Sequence, residues 1–145
     1  MKHKKNSFLD LLEAYFNTYL PVAKGLSTAT VTSYKATFRI LMEFMDTVKG
    51  ILAEKIYLEI VDAQMITEFL DWLESERKCS IATRNQRLSA LSAFSIYAQN
   101  RDFGAASIFR NNVLKVPKKK APQSLRSSFS REEVKSLFKL PDANT

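Results

Sequence analysis

Along most of this chain apolar residues recur three and four positions apart, the spacing that puts them on one face of an α-helix. Ser7 is placed to cap a first helix, with Asp10 three residues on as a weak capping box. Phe8, Leu11, Leu12, Tyr15 and Tyr19 then share a face, and Pro21 and Gly25 end the helix in a turn. Ser27 or Thr28 caps a second helix running to about Thr47, with Val31, Tyr34, Phe38, Leu41, Met45 and Val48 as its apolar stripe and Lys49-Gly50 closing it. Residues 51–61, "ILAEKIYLEIV", fit either a short extended piece or an irregular crossing. Asp62 caps a third helix with Met65, Ile66, Phe69, Leu70 and Leu73 inward, Trp72 at the edge, and Glu68, Asp71 and Glu74 on the outer face. Ser80 caps a fourth helix, residues 81 to about 100, with Ile81, Leu88, Leu91, Phe94 and Ala98 inward; a shorter fifth helix spans about 104–113.

The pattern predicts an all-α fold, a four- to five-helix orthogonal bundle over residues 7–115, preceded by a disordered basic tail at residues 1–6. At Val116 the periodicity stops. "VPKKKAPQSLRSS", residues 116–128, has two prolines and three consecutive lysines and reads as an exposed basic linker. "SREEVKSLFKLP" follows, with Ser130 and Glu133 forming a capping box and Val134, Leu137 and Phe138 an apolar face. Residues 129–145 are therefore read as the start of a truncated second domain.

Composition agrees with a helical domain. Of 145 residues nearly half are apolar, and only 3 Gly and 4 Pro interrupt them. The one cysteine, Cys79, excludes an internal disulfide framework and fits a reducing compartment. The basic N-terminus is not followed by a sustained apolar run before Asp10 and Glu13, which argues against a signal peptide. No apolar stretch approaches the ~20 residues that span a bilayer.

Charge adds a direction. The net charge is +7, but it is segregated. Residues 54–76 hold seven acids and one base, whereas residues 77–131 hold twelve bases and one acid, Asp102. Such a chain presents a positive surface suited to a polyanion, either nucleic acid or an anionic membrane. On a helical wheel Thr28, Thr32, Lys35 and Arg39 share one face beside the core stripe of the second helix. Hydroxyls and cationic heads donate to phosphate oxygens, and short side chains allow close approach. The fourth helix offers Asn85, Ser89 and Ser92 as a narrow stripe. Thr83, Arg84 and Arg87 stand near its N-terminus, the two arginines falling toward the core side. Arginine reaches guanine and asparagine adenine in a major groove. Glu68, Asp71 and Glu74 would be repelled by such a partner and are expected to point away. Cys79, beside Arg77 and Lys78 at a helix N-terminus, has neighbours that could lower a thiol pKa, although an inert role is expected. No Cys/His pair has metal spacing, and no Gly-rich loop cradles a nucleotide.

Three stretches, in order, carry a family resemblance. "SIATRNQRLSALSAF" resembles the second signature helix of the core-binding domain of tyrosine recombinases, the phage integrase family: a Ser/Thr start, a basic middle, then Leu-Ser-Ala-Leu and an aromatic, here Ser80, Thr83, Arg84, Arg87, Leu88–Leu91 and Phe94. "LSTATVTSYKATFRILMEFM" is similar to the family's pattern at Leu26, Thr30, Tyr34 and Phe38. "KKKAPQSLRSSFSREEVKSLFKLP" resembles the linker into the catalytic domain. Two positions depart from the pattern: Ser92 stands where an arginine is frequent, and Asn111-Asn112-Val113 where Asn-Pro is usual.

The resemblance implies a SAM-like all-α domain that forms half of a clamp around duplex DNA at recombination core sites, acting with other recombinase protomers. DNA contacts are implied at Thr28, Thr32, Lys35, Arg39, Thr83, Arg84, Asn85, Arg87 and Ser89, and along the backbone at Lys118, Lys119 and Lys120. The family's catalytic Arg, Lys, His-x-x-Arg, further His or Trp and Tyr nucleophile belong to the C-terminal domain. The sole histidine, His3, lies in the basic tail, and Tyr15, Tyr34 and Tyr97 are read as core residues. The chain itself is therefore expected to bind DNA without cleaving it, with no catalytic residue, metal, cofactor, small-molecule substrate or membrane partner, in the cytoplasm of a bacterium or as a phage-encoded protein. The alternative is a helical protein-interaction module whose basic face meets an acidic partner.

Overall fold

A computed structural model describes residues 8–23 and 25–120. The Ser7 cap, the 1–6 tail, residues 121–128 of the linker and the 129–145 segment lie outside the described residues. Five α-helices follow in order: α1 (Phe8–Ala14), α2 (Thr28–Thr47), α3 (Ala63–Ser75), α4 (Ile81–Arg101) and α5 (Phe103–Lys115). There is no strand among the described residues. The fold is all-α, as the periodicity predicts.

The helix starts follow the side chains that cap them. The Ser27 hydroxyl accepts the Thr30 N–H at 3.0 Å, Asp62 accepts that of Met65 at 2.9 Å, and Ser80 accepts that of Thr83 at 3.1 Å. Each satisfies one of the free donors of a first turn, an arrangement worth about 1 kcal/mol. Of the two cap residues the sequence allowed for α2, Ser27 is the one used. The α3 start has a further partner, since Asn112 Oδ1 of α5 accepts the Ala63 N–H at 3.1 Å. At the far end of α2, Gly50 adopts φ +71°, the left-handed conformation that lets Ile51 N–H turn back to Met45 C=O at 2.8 Å.

Residues 51–61 resolve as the irregular crossing, two 3-10 turns at Ala53–Lys55 and Leu58–Ile60. The crossing is anchored because Ile56, Leu58 and Val61 are buried in the core. α1 runs into a π turn, Tyr15–Tyr19, and a 3-10 turn, Leu20–Val22.

The core is aromatic around Phe94. Its ring centroid lies 5.7 Å from Phe8, 5.1 Å from Phe38, 5.3 Å from Tyr15 and 6.1 Å from Phe109, so one side chain touches α1, its π turn, α2 and α5. All four are edge-to-face pairs, which at these distances add to the burial energy. A second cluster joins α2 to α3 through Phe44, Phe69 and Trp72.

That second cluster explains a difference from the single stripe predicted for α2. Phe44 is buried because α2 is covered on two sides, by α1 and α4 on one and by α3 on the other. Val48, placed on the stripe by periodicity, is half exposed because the helix has ended and the chain turns at Gly50. Tyr19 is also largely exposed, its ring stacked on Tyr15 and packed beside Tyr97.

α4 is the central element. It packs against α2, α3 and α5, and Tyr97 meets the π turn after α1. Leu88, Leu91, Phe94 and Ala98 are buried as the pattern predicts, and Ala90, Ser95 and Tyr97 are buried as well. Leu91→Ala and Phe94→Ala should each lower stability by about 2–5 kcal/mol, because each leaves a cavity that several helices would have to collapse together to fill. Thermal and urea unfolding of the two variants check this. Near-native midpoints would contradict the placement of the core.

Candidate nucleic-acid interface

The candidate contact residues singled out by the sequence divide into two sets. In the first, Thr28, Thr32, Lys35 and Arg39 are all exposed on α2. The helix buries Phe38, Leu41 and Met45, and 100° per residue carries these four to one side of that stripe. Lys35 and Arg39 stand at the rim of a shallow groove of about 240 Å³ between α1 and α2, floored by Leu12, Phe16 and Phe38. Neither cation is held in an ion pair among the described residues. Lys118, Lys119 and Lys120 are likewise exposed, where the chain leaves the bundle after α5. Lys118 lines a second groove, of about 380 Å³, together with Ser89, Ser92 and Ile96 of α4 and Leu114 of α5.

The second set is bound to protein. Arg84 is only 3% exposed, and its guanidinium Nη1 donates to Pro117 C=O at 3.0 Å and to Asn85 Oδ1 at 2.9 Å. Its Nε has no hydrogen-bond partner, but the Glu74 carboxylate lies 3.6 Å away and supplies the opposite charge that a buried cation requires. The Asn85 side chain exchanges two hydrogen bonds with the backbone of Lys119, donating from Nδ2 to its C=O at 2.7 Å and accepting its N–H at 2.9 Å. Arg87 donates to Ser33 C=O at 3.2 Å and Thr37 Oγ1 at 3.1 Å, joining α4 to α2. Thr83 belongs to the cap of α4, its hydroxyl accepting from Ser80 at 3.2 Å.

The expected groove-facing helix is therefore built differently from the sequence reading. In this conformation Arg84, Asn85 and Arg87 point their polar atoms at protein groups. The angular position of the two arginines on the core side is what brings them there. The acidic face is corrected as well. Glu74 does not point away from the basic residues; its carboxylate takes both Arg84 and the Lys119 ammonium, the latter at 2.9 Å. Glu68 pairs with Lys49, which together with Gln64 holds its carboxyl below the usual range. The linker expected to be exposed from Val116 begins with a buried residue, since Val116 closes the core after α5.

One residue the sequence reading passed over completes the pattern. Arg110 of α5 donates to Ser95 Oγ at 2.9 Å and lies against Ser92, whose C=O also accepts the Ser95 hydroxyl at 2.6 Å. Ser92 and Ser95, one turn apart beside the core stripe, were the available signal that a donor arrives from another helix.

No nucleophile is prepared among the described residues. Burial, reinforced by Glu74, pushes the Cys79 thiol up despite the nearby Arg87 and Arg84, so it stays protonated near neutral pH. Burial likewise pushes the Tyr15 phenol up, and the Tyr97 hydroxyl is buried against packed rings. No group of three or more His, Cys, Asp or Glu is placed to hold a metal among the described residues, and none of their helices is long and apolar enough to cross a membrane.

This is an all-helical domain with cations on an exposed helix face and along the chain's exit, the class of small basic bundle suited to a polyanion. Comparison with known proteins makes the assignment specific: residues 7–119 match the phage integrase SAM-like domain, and the chain belongs to that family. Among curated relatives, it is 33% identical over 142 residues to "Putative integrase/recombinase y4rC" and 34% identical over 138 residues to "Putative integrase/recombinase y4rD", both of Sinorhizobium fredii. The alignments cover 98% and 93% of this chain but 42% and 48% of those proteins, so the chain spans less than half their length. No solved structure matches the chain at a significant level.

Arg84→Ala should lower stability by about 1.5–3 kcal/mol, because it removes hydrogen bonds from a charged donor and leaves Glu74 without its buried partner. Unfolding curves compared with those of Arg39→Ala, which should stay within about 0.5 kcal/mol of the parent, check the assignment. Equal midpoints for the two would contradict it.

Proposed function

We propose that this chain is the DNA-binding N-terminal part of a site-specific recombinase of the tyrosine class, holding duplex DNA at recombination core sites. The observation that carries the reading is the exposed set of Thr28, Thr32, Lys35 and Arg39 on α2, together with Lys118–Lys120, in a chain of the phage integrase SAM-like family. Hydroxyl, ammonium and guanidinium donors on one helical face suit a row of phosphate oxygens. Duplex DNA carries about one negative charge per 1.7 Å of axis, so a few such donors release several counterions.

In this reading Thr28, Thr32, Lys35 and Arg39 grip the backbone, and Lys118 and Lys120 continue the contact where the chain leaves the bundle, joined by Lys119 as it exchanges its Glu74 partner for a phosphate. Thr83, Arg84, Asn85, Arg87 and Ser89 support the surface rather than read bases, because their polar atoms are engaged within the protein or line a groove. Residues 129–145 would open a second domain that closes on the other side of the duplex and performs strand cleavage. The partners are double-stranded DNA and further recombinase protomers assembled on it. The resemblance to tyrosine recombinases and the names of the two relatives support this reading.

The isolated chain should bind duplex DNA, and log K should fall with log[salt] at about −0.9 per phosphate contact. Lys35→Ala and Arg39→Ala should each weaken all duplexes alike and reduce that slope by about one. Fluorescence anisotropy of a labelled duplex at several salt concentrations measures both. Binding that does not change with salt, or none at low salt, would sink the proposal and favour a protein partner for the basic face.

A further inference from the structure

The cluster around Arg84 has more structure than a bundle needs to close itself. Val116 already seals the core at the end of α5. Beyond it, Pro117, Lys118, Lys119 and Lys120 are exposed and outside any helix, a stretch whose backbone water alone could satisfy. It is instead held at two successive points. Arg84 takes Pro117 C=O, and two residues on Asn85 takes both the N–H and the C=O of Lys119. A side-chain amide that pairs with both backbone groups of one residue fixes that residue's orientation as a neighbouring strand would. Arg84 Nη1 also donates to Asn85 Oδ1, so the two holding side chains hold one another. Glu74 of α3 then adds charge, its carboxylate 2.9 Å from the Lys119 ammonium and 3.6 Å from Arg84 Nε.

We propose that Glu74, Arg84 and Asn85 form a latch that fixes the direction in which the chain leaves the bundle, so that Lys118–Lys120 are presented in one orientation before any partner arrives. Three adjacent ammonium groups on a free segment would repel one another and sample many directions, and ordering them on contact would lower affinity. The latch removes that cost in advance and gives the polypeptide that follows a defined point of departure. It has two separable components. The bonds from the Asn85 amide to the Lys119 backbone join neutral groups and are insensitive to salt, whereas the Glu74–Lys119 pair lies near the surface and is screened. Asn85 and Arg84 are positioning residues: they act through the backbone of Pro117 and Lys119. The latch does not depend on the DNA reading, since it is a property of the free chain.

Amide hydrogen exchange on the full 145-residue chain, resolved by NMR, tests it. The Lys119 N–H should exchange about tenfold or more slower than a free amide, the protection expected of one well-formed hydrogen bond. Asn85→Ala should abolish that protection while the amides of Leu88–Phe94 in α4 keep theirs. Glu74→Gln should retain part of the Lys119 protection and lose its dependence on salt, which the parent chain should show. An unprotected Lys119 amide in the parent, protection that survives Asn85→Ala, or simultaneous loss across α4 would each overturn the proposal. A parent-like salt dependence in Glu74→Gln would remove the carboxylate from it.

Discussion

α4 is enclosed by the rest of the molecule, and that constraint governs the remainder of the structure. A helix touched by α2, α3, α5 and the turn after α1 has little surface left for water, yet its sequence carries arginines, an asparagine and serines. Buried polar groups without partners are costly, so most on α4 find one inside the protein; Arg84 Nε, beside the Glu74 carboxylate, and the Tyr97 hydroxyl make no hydrogen bond. Three guanidinium groups meet that demand at three interfaces. Arg87 ties α4 to α2 through Ser33 and Thr37, Arg110 ties it to α5 through Ser92 and Ser95, and Arg84 ties it to the segment beyond α5. Helix backbone carbonyls accept from two of these three, which lets apolar packing and polar satisfaction coexist on one element.

Much of the architecture was legible because it is local. Ser27, Asp62 and Ser80 cap the helices that the spacing predicts, and Phe38, Leu41, Phe69, Leu91 and Phe94 are buried where period 3.6 puts them. What escaped the sequence is non-local. A wheel angle placed Arg84 and Arg87 toward the core but could not say that Pro117 and Ser33 would be waiting there, 33 and 54 positions away. Phe44 was missed for the same reason, since a single stripe cannot show that α2 is covered twice. Glu74 looked like part of a solvated acidic face until the exit segment folded back across it.

The consequence for function is that counting positive charge overstates what is available to a polyanion. Of the bases between Arg77 and Lys120, Arg77 is bound to Glu43 and stacked over Trp72, while Arg84, Arg87 and Arg110 face protein acceptors. Among the cations left exposed are Lys35 and Arg39 on the α2 face and the lysine row after α5, in which Lys119 is itself paired with Glu74. That arrangement engages the polar side chains of the signature stretch of α4 within the protein and, in the proposed function, leaves contact to its neighbours. It also accounts for a helix in a phage integrase SAM-like domain that is rich in polar residues yet largely buried.

The central claim is that division between supporting and contacting cations. Amide chemical-shift mapping during titration with a short duplex at low salt tests it most directly. The account predicts that the largest changes fall on residues 28–39 and 118–120, with the outer residues of α3 around Asp71 unmoved. Changes centred on α3, or on the exposed apolar positions Ile108 and Leu114 of α5 with residues 28–39 unaffected, would contradict it.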